Sequence, residues 1–204
     1  AGQRRYVRFL LTVSLGTMGF TMQDILLEPF GAEVLGFSVA ATARLTAWMA
    51  AGALIAYAFA ARASQRGTDP HRLAALGALS GVAALSTVMF AAPLASPTLF
   101  IFGVGLIGFG SGLFGVATLL VAMGFDELER NGLALGAWGA AQALAGGLGI
   151  AAGGALRDLL TLLATRGSLG PALVGPGAAY TIVYQVEILL LFVSLVALGP
   201  LARA

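Results

Sequence analysis

Six oxygen-bearing side chains interrupt long apolar runs: Gln23, Asp24 and Glu28 in one run, Gln142 in another, Gln185 and Glu187 in a third. Carboxylates and carboxamides at membrane depth have few uses. They pair with a cation, bond a neighbouring helix, line a wet cavity, move a proton, or ligate a hard metal ion. Asp24 and Glu28 are four residues apart in "MQDILLEPFG", a spacing that puts both on one helix face, with Pro29 marking a helix end. Asp24 stands about 16 residues beyond Arg8, roughly 24 Å along a helix. Arg44 opens the next apolar run from the same side and carries the opposite charge. A charge at the bilayer centre costs about 2.5–3.5 kcal/mol, and pairing reduces that cost. Three roles remain open: a structural ion pair of Asp24 and Glu28 with Arg44, a polar lining for a ligand cavity, or plain solvation at the interface. The ion pair is the first expectation. Glu187 finds no cation in its own run and Gln185 faces elsewhere on the helix, so Glu187 either couples to proton movement or bonds a partner helix. The second is expected, and Gln142 has the same two roles open to it.

Other chemistry is poorly served. There is no cysteine and a single histidine, His71, set between Pro70 and Arg72 in a polar loop. Thiolate and multi-histidine metal sites are therefore not expected. A net charge of +2 gives no footprint for nucleic acid. Gly103, Gly105 and Gly108 match a dinucleotide-binding spacing, but that motif must follow a strand and open a helix at a wet crevice; here it lies inside an apolar run. The acidic group Asp126, Glu127 and Glu129 reads as a solvated loop face. No nucleophile–base pair stands at usable spacing, so an enzyme is not expected.

The elements that must carry these residues are membrane helices. Of 204 residues 59% are hydrophobic and only 10% charged, too apolar for a soluble core of this size. About 20 apolar residues make one crossing. Six spans are predicted, at about 9–27, 39–61, 73–92, 98–125, 133–156 and 180–198, giving an all-α polytopic six-helix bundle over residues 1–204. Gly108 with Gly112, and Gly149 with Gly153, are small-residue pairs that bring helices close or admit a flat ring. Trp48 and Trp138 read as packing or interface residues, and Tyr180 with Tyr184 as an aromatic belt. "RDLLTLLATRGSLG" is either an interfacial helix or an extension of the fifth span, and "GPALVGPG" a link rich in helix breakers. Arg4, Arg5, Arg8, Arg62, Arg66, Arg72, Arg130 and Arg203 fall on one side, against Arg157 and Arg166 with Arg44 near the edge on the other. Both termini are therefore expected in the cytoplasm.

Six spans with a basic loop between the second and third resemble one half of a major facilitator transporter, a fold of two six-helix halves. The loop "ARASQRGTDPHRLAALG" departs from the usual transporter version. A closer resemblance rests on "MQDILLEPFGAEVLGFSVAATARLTA", "RGTDPHRLAALG", "LIGFGSGLFGVATL", "GLALGAWGAAQA" and "YQVEILLLFVSLVALGPL". These segments resemble the PucC/LhaA, or bacteriochlorophyll delivery, family, with Ala32 a small departure after "EPFG". The resemblance runs along nearly the whole chain and matches a carboxyl-terminal half, so an amino-terminal six-helix half is expected as a partner. It implies an assembly factor of the bacterial inner (intracytoplasmic photosynthetic) membrane that handles bacteriochlorophyll for light-harvesting antenna polypeptides. It supplies no set of pigment ligands. A magnesium macrocycle wants an axial oxygen or nitrogen donor, and magnesium prefers oxygen. With no histidine in a span, the candidates at membrane depth are Gln23, Asp24, Glu28, Gln142, Gln185 and Glu187. The competing expectations are half of a proton-coupled transporter and a structural subunit of an antenna complex.

Overall fold

Helix starts and stops fall where the sequence supplies the chemistry for them. The computed structural model describes residues 2–125, 131–166, 177–199 and 201. Among the described residues there are seven helices: α1 (Gly2–Thr21), α2 (Leu27–Leu35), α3 (Val39–Gln65), α4 (Pro70–Ala91), α5 (Pro97–Met123), α6 (Asn131–Thr165) and α7 (Ala178–Leu198), with a 3-10 turn at Met22–Ile25. The chain is an all-α polytopic membrane protein. Helices α3 to α7 are each long and apolar enough to cross a membrane, and α1 with α2, taken as one span bent by 45°, makes a sixth.

Ser38 and Ser96 cap α3 and α5 by accepting hydrogen bonds from the N–H groups of Ala41 and Leu99. These bonds satisfy donors that have no partner inside the helix. Pro97 starts α5 at a position where the missing N–H costs nothing. Helix α2 ends on Gly36, whose φ of 68° suits a residue without a side chain. The fifth span is longer than the expected 133–156. The helix continues through "RDLLTLLAT" to Thr165, because that stretch contains no glycine or proline to stop it. Asp126, Glu127, Glu129, Arg130, Arg203 and the link 167–176 lie outside the described residues.

Asp69 caps α4 just ahead of Pro70. Its carboxylate accepts from the His71 backbone N–H at 2.8 Å and lies 3.0 Å from the His71 ring Nδ1. Burial pushes this carboxyl up, but the two His71 hydrogen bonds and the His71 and Arg72 charges together outweigh it and hold the group below its usual value. A folded value below the unfolded one means that the cap stabilises above the ordinary carboxylate range and that this contribution is lost as pH falls through the folded value. Asp69→Ala is expected to cost about 1 kcal/mol at neutral pH and to flatten the acid limb of a Tm-against-pH profile. A variant profile parallel to the parent's would show that the cap carries no acid sensitivity.

Glycines set the helix crossings. A methyl group on Gly77 of α4 would lie 2.6 Å from the Phe114 nitrogen of α5, and one on Gly110 would lie 2.9 Å from the Gly77 carbonyl. On the other side of α5, Gly108 meets the Met49 carbonyl of α3, and Gly112 faces Ala53. Gly149 and Gly153 of α6 meet Thr21 and the Met22 carbonyl at the end of α1. Each pair thus lies at a helix–helix crossing where backbones approach closely. Helix α7 packs on α1 and α4, and α3 and α6 flank the group. Their outer faces expose Leu54, Ile55 and Phe59 on α3 and Leu144, Leu148 and Ile150 on α6. Leu201 packs with Phe9, Val13, Val121 and Ala122, so the chain returns beside its start. Trp138 donates to Thr118 Oγ1 at 3.2 Å and is a packing residue, whereas Trp48 is exposed on α3.

Candidate functional site

The first span breaks because of Pro29. Proline has no N–H, and its ring collides with the carbonyl four residues earlier, which belongs to Ile25. The chain tightens into the 3-10 turn and restarts as α2 with Pro29 in its first turn, where proline is tolerated. This corrects two expectations. The span does not end as one helix near Leu27. Asp24 and Glu28 lie on either side of the bend, not on one face of a continuous helix.

The expected ion pair is also not formed. Among the described residues no ion pair joins Arg44 to Asp24 or Glu28. Thr42 and Leu45 take the inward face of α3, and Arg44 points outward and is exposed. The acid of α2 that pairs with an arginine is Glu33. Arg157 Nη2 donates to its two carboxylate oxygens at 3.1 and 3.3 Å and to the Tyr180 hydroxyl at 2.8 Å. The Tyr180 hydroxyl in turn donates to Glu33 Oε2 at 2.7 Å. This network ties α2 to α6 and α7. Because the Glu33 side chain is 48% exposed, the ion pair itself contributes only about 0–1 kcal/mol. More of the hold on α2 comes from Phe30, fully buried against Phe100, Tyr180 and Tyr184 at ring-centre distances of 5.4, 5.5 and 5.6 Å. Tyr180 and Tyr184 therefore point inward beneath α2 and do not form a surface belt.

Beneath α2 lies a cluster of buried polar atoms that find no partner among the described residues. Gln23 Nε2 donates to the Phe20 carbonyl and to Asp24 Oδ1, both at 2.8 Å. Its two hydrogens are then committed, which fixes the amide so that Oε1 is the free atom. Gln23 Oε1, the Tyr184 hydroxyl and both Glu187 carboxyl oxygens are buried with no hydrogen-bond partner among the described residues. Glu187 is 0% exposed. Register places these groups together. Ser194 donates to the Thr12 carbonyl at 3.1 Å, and a methyl on Gly19 would lie 3.2 Å from the Glu187 carbonyl. Helices α1 and α7 are thus antiparallel with Glu187 level with Gly19. Gln23 and Tyr184 both lie about one turn, roughly 5 Å, farther toward the break.

The six candidates therefore separate by accessibility. Gln23 and Glu187 are sealed in the interior, while Asp24, Glu28 and Gln185 are exposed. Gln142 is half-buried and accepts a bond from Thr17 Oγ1 at 3.4 Å, joining α6 to α1. Asp24 is an exposed acid with a built support: one carboxylate oxygen takes the Gln23 bond, and the other has no bond among the described residues. Glu33, Arg157 and Tyr180 were not among the candidates. The readable signal for them was "EPFGAEVLG", a proline start and a glycine stop enclosing a nine-residue helix.

A family model for PUCC protein matches residues 1–204. A Rhodobacter capsulatus protein described as an uncharacterized protein in the puhA-bchM intergenic region is 48% identical over 203 residues, 100% of this chain and 42% of the relative. Protein PucC of Cereibacter sphaeroides is 42% identical over 195 residues, 96% of this chain and 41% of the relative. Protein PucC of Rhodovulum sulfidophilum is 48% identical over 155 residues, 76% of this chain and 34% of the relative. The chain thus spans less than half the length of these relatives. No solved structure matches. With a family match along its full length and these identities, the chain belongs to the PUCC protein family.

Proposed function

We propose that this chain is the membrane-embedded carboxyl-terminal half of an assembly factor for light-harvesting complexes, which takes up bacteriochlorophyll as cargo and passes it to antenna polypeptides. Family membership supports a role in the photosynthetic apparatus. The observation that carries the pigment reading is Asp24: an exposed carboxylate at a helix break, steadied by the Gln23 amide, with one oxygen free. Oxygen is the donor that magnesium prefers, so the side chains present fit such a cargo. Glu187 and Gln23 are poor axial ligands, because their free oxygens are sealed within the bundle. Their part is to shape and steady the break. The reading is non-enzymatic. It places the protein in the inner photosynthetic membrane as one half of a major facilitator-type fold, both termini cytoplasmic, with an amino-terminal six-helix half as partner.

The test is the absorption spectrum of the detergent-purified protein after gel filtration. A far-red bacteriochlorophyll band that co-elutes is expected. Asp24→Ala should lower pigment retention about 10- to 100-fold, the worth of one charge-assisted contact of about 1.5–3 kcal/mol, with Asp24→Asn intermediate. Pigment-free protein, or Asp24→Ala retaining as much pigment as the parent, overturns the assignment. The buried Glu187 favours a second reading, proton-coupled solute transport. That reading predicts pH-dependent flux in vesicles that Glu187→Gln abolishes.

A further inference from the structure

We propose that the interior of the bundle, beside the break in the first span, binds one sodium-sized monovalent cation through Glu187, Gln23 and Tyr184. All three residues are at most 1% exposed. Four of their oxygens, Gln23 Oε1, the Tyr184 hydroxyl and both Glu187 oxygens, have no hydrogen-bond partner among the described residues. The enclosure is built by this chain's own helices, so it does not depend on what covers their outer faces. Tyr184 and Glu187 are three residues apart on α7 and share a face. Gln23 comes from the 3-10 turn that joins α1 to α2, on the level of Tyr184. The site is separate from the pigment reading, which rests on exposed Asp24.

The chemistry of the set selects its ligand. The Gln23 amide hydrogens are committed to the Phe20 carbonyl and to Asp24, so Gln23 offers only an oxygen. A carboxylate likewise offers only oxygens, and the Tyr184 hydroxyl carries the one hydrogen of the set. Such a group attracts positive charge and has little to give an anion. The end of α1 at Thr21 adds the negative pole of a helix close by. Among the described residues no arginine pairs with Glu187, and the chain has no lysine. A lone buried carboxylate is costly, and a single positive charge neutralises it. A divalent ion would leave the interior positively charged, and magnesium also keeps several of its waters. The Tyr184 hydroxyl bonds neither Glu187 nor Gln23, so the oxygens are not closed on one another. Their offset of about one turn, roughly 5 Å, suits an ion with oxygen contacts of about 2.3–2.6 Å, the range of calcium, which sodium matches in size. Asp24, exposed and bonded to the Gln23 amide, marks the side from which the ion enters.

The experiment is a melting curve of the purified protein in detergent, titrated with sodium chloride against choline chloride at constant ionic strength. Sodium at about 100 times its dissociation constant should raise Tm by about 5–10 °C, and isothermal titration calorimetry should count one ion per chain. Tyr184→Phe keeps the ring against Phe30 and removes one oxygen, so sodium should bind about 10-fold more weakly. Glu187→Gln should lose the sodium response, whereas Glu28→Gln, exposed on α2, should keep it. In choline alone Glu187 has no neutralising partner, and Glu187→Met should melt above the parent; sodium should narrow or reverse that difference. A parent Tm that does not respond to sodium overturns the proposal without recourse to any variant, and is the result expected if a proton neutralises Glu187. A rise of equal size in Glu187→Gln also overturns it, because the ion is then bound elsewhere. A larger rise with magnesium chloride than with sodium chloride overturns the monovalent assignment.

Discussion

Glu187→Met is expected to raise the thermal stability of the purified protein, by the equivalent of about 1–3 kcal/mol, the cost of burying a polar group with no partner. Among the described residues both carboxyl oxygens of Glu187 are buried and unbonded, and the residue is 0% exposed. Methionine is unbranched and of similar size, so it fills the same space without the unsatisfied oxygens. The measurement is a melting curve in detergent, followed by gel filtration. A fall in Tm would mean that Glu187 is held by a bond or ion that its substitution removes. The same variant separates the functional readings. Pigment retention should persist, because the free oxygens of Glu187 are sealed inside the bundle. Proton-coupled flux, were it the activity, should vanish. A gain in stability with a loss of function would mark Glu187 as a residue kept for its task and not for the fold.

Gly108→Leu is expected to prevent folding, and Gly108→Ala to cost about 3 kcal/mol or more, the upper end of overpacking penalties. A methyl group built on Gly108 collides with the Met49 carbonyl, and one on Gly52 collides with the Gly105 carbonyl. Both obstacles are backbone, which cannot rotate aside as a side chain can. The two helices would have to separate along the whole crossing. Gly115, on the same helix, has nothing within 4 Å of an added methyl group. Gly115→Ala should therefore be neutral, or stabilising by about 0.5–1 kcal/mol through helix propensity. Yield of monodisperse protein and Tm report both changes. Equal effects at Gly108 and Gly115 would show that the α3–α5 crossing does not depend on close backbone approach.

The separation between inner and outer acids explains where sequence reasoning failed. Spacing along the chain says which residues share a face of a helix that continues. It does not say that Pro29 diverts the backbone by 45° before that face is complete. Once the helix bends, Asp24 and Glu28 part company, and the cation expected to pair with them, Arg44, is turned outward. Glu33 then finds Arg157, 124 positions away. A partner at that distance is chosen by how helices cross, which no local pattern encodes. The same holds for Tyr180 and Tyr184. Their position at the end of a span suits a belt, and only the presence of α2 above them makes them interior.

The amino-acid order alone determined the parts that depend on local physics. Apolar runs of sufficient length impose helices, because lipid offers backbone groups no partner. Serine, aspartate and proline mark their starts at Ser38, Asp69–Pro70 and Ser96–Pro97, and glycine pairs mark surfaces that must approach closely. The segments that carry the family likeness were legible for the same reason: they are contiguous. Tertiary structure alone decided which oxygens are sealed and which are open, because burial is a property of neighbours brought in from distant spans. Gln23 and Asp24 are adjacent in sequence, yet one is enclosed and the other faces outward. That division follows from the break in the first span and the helix folded over it.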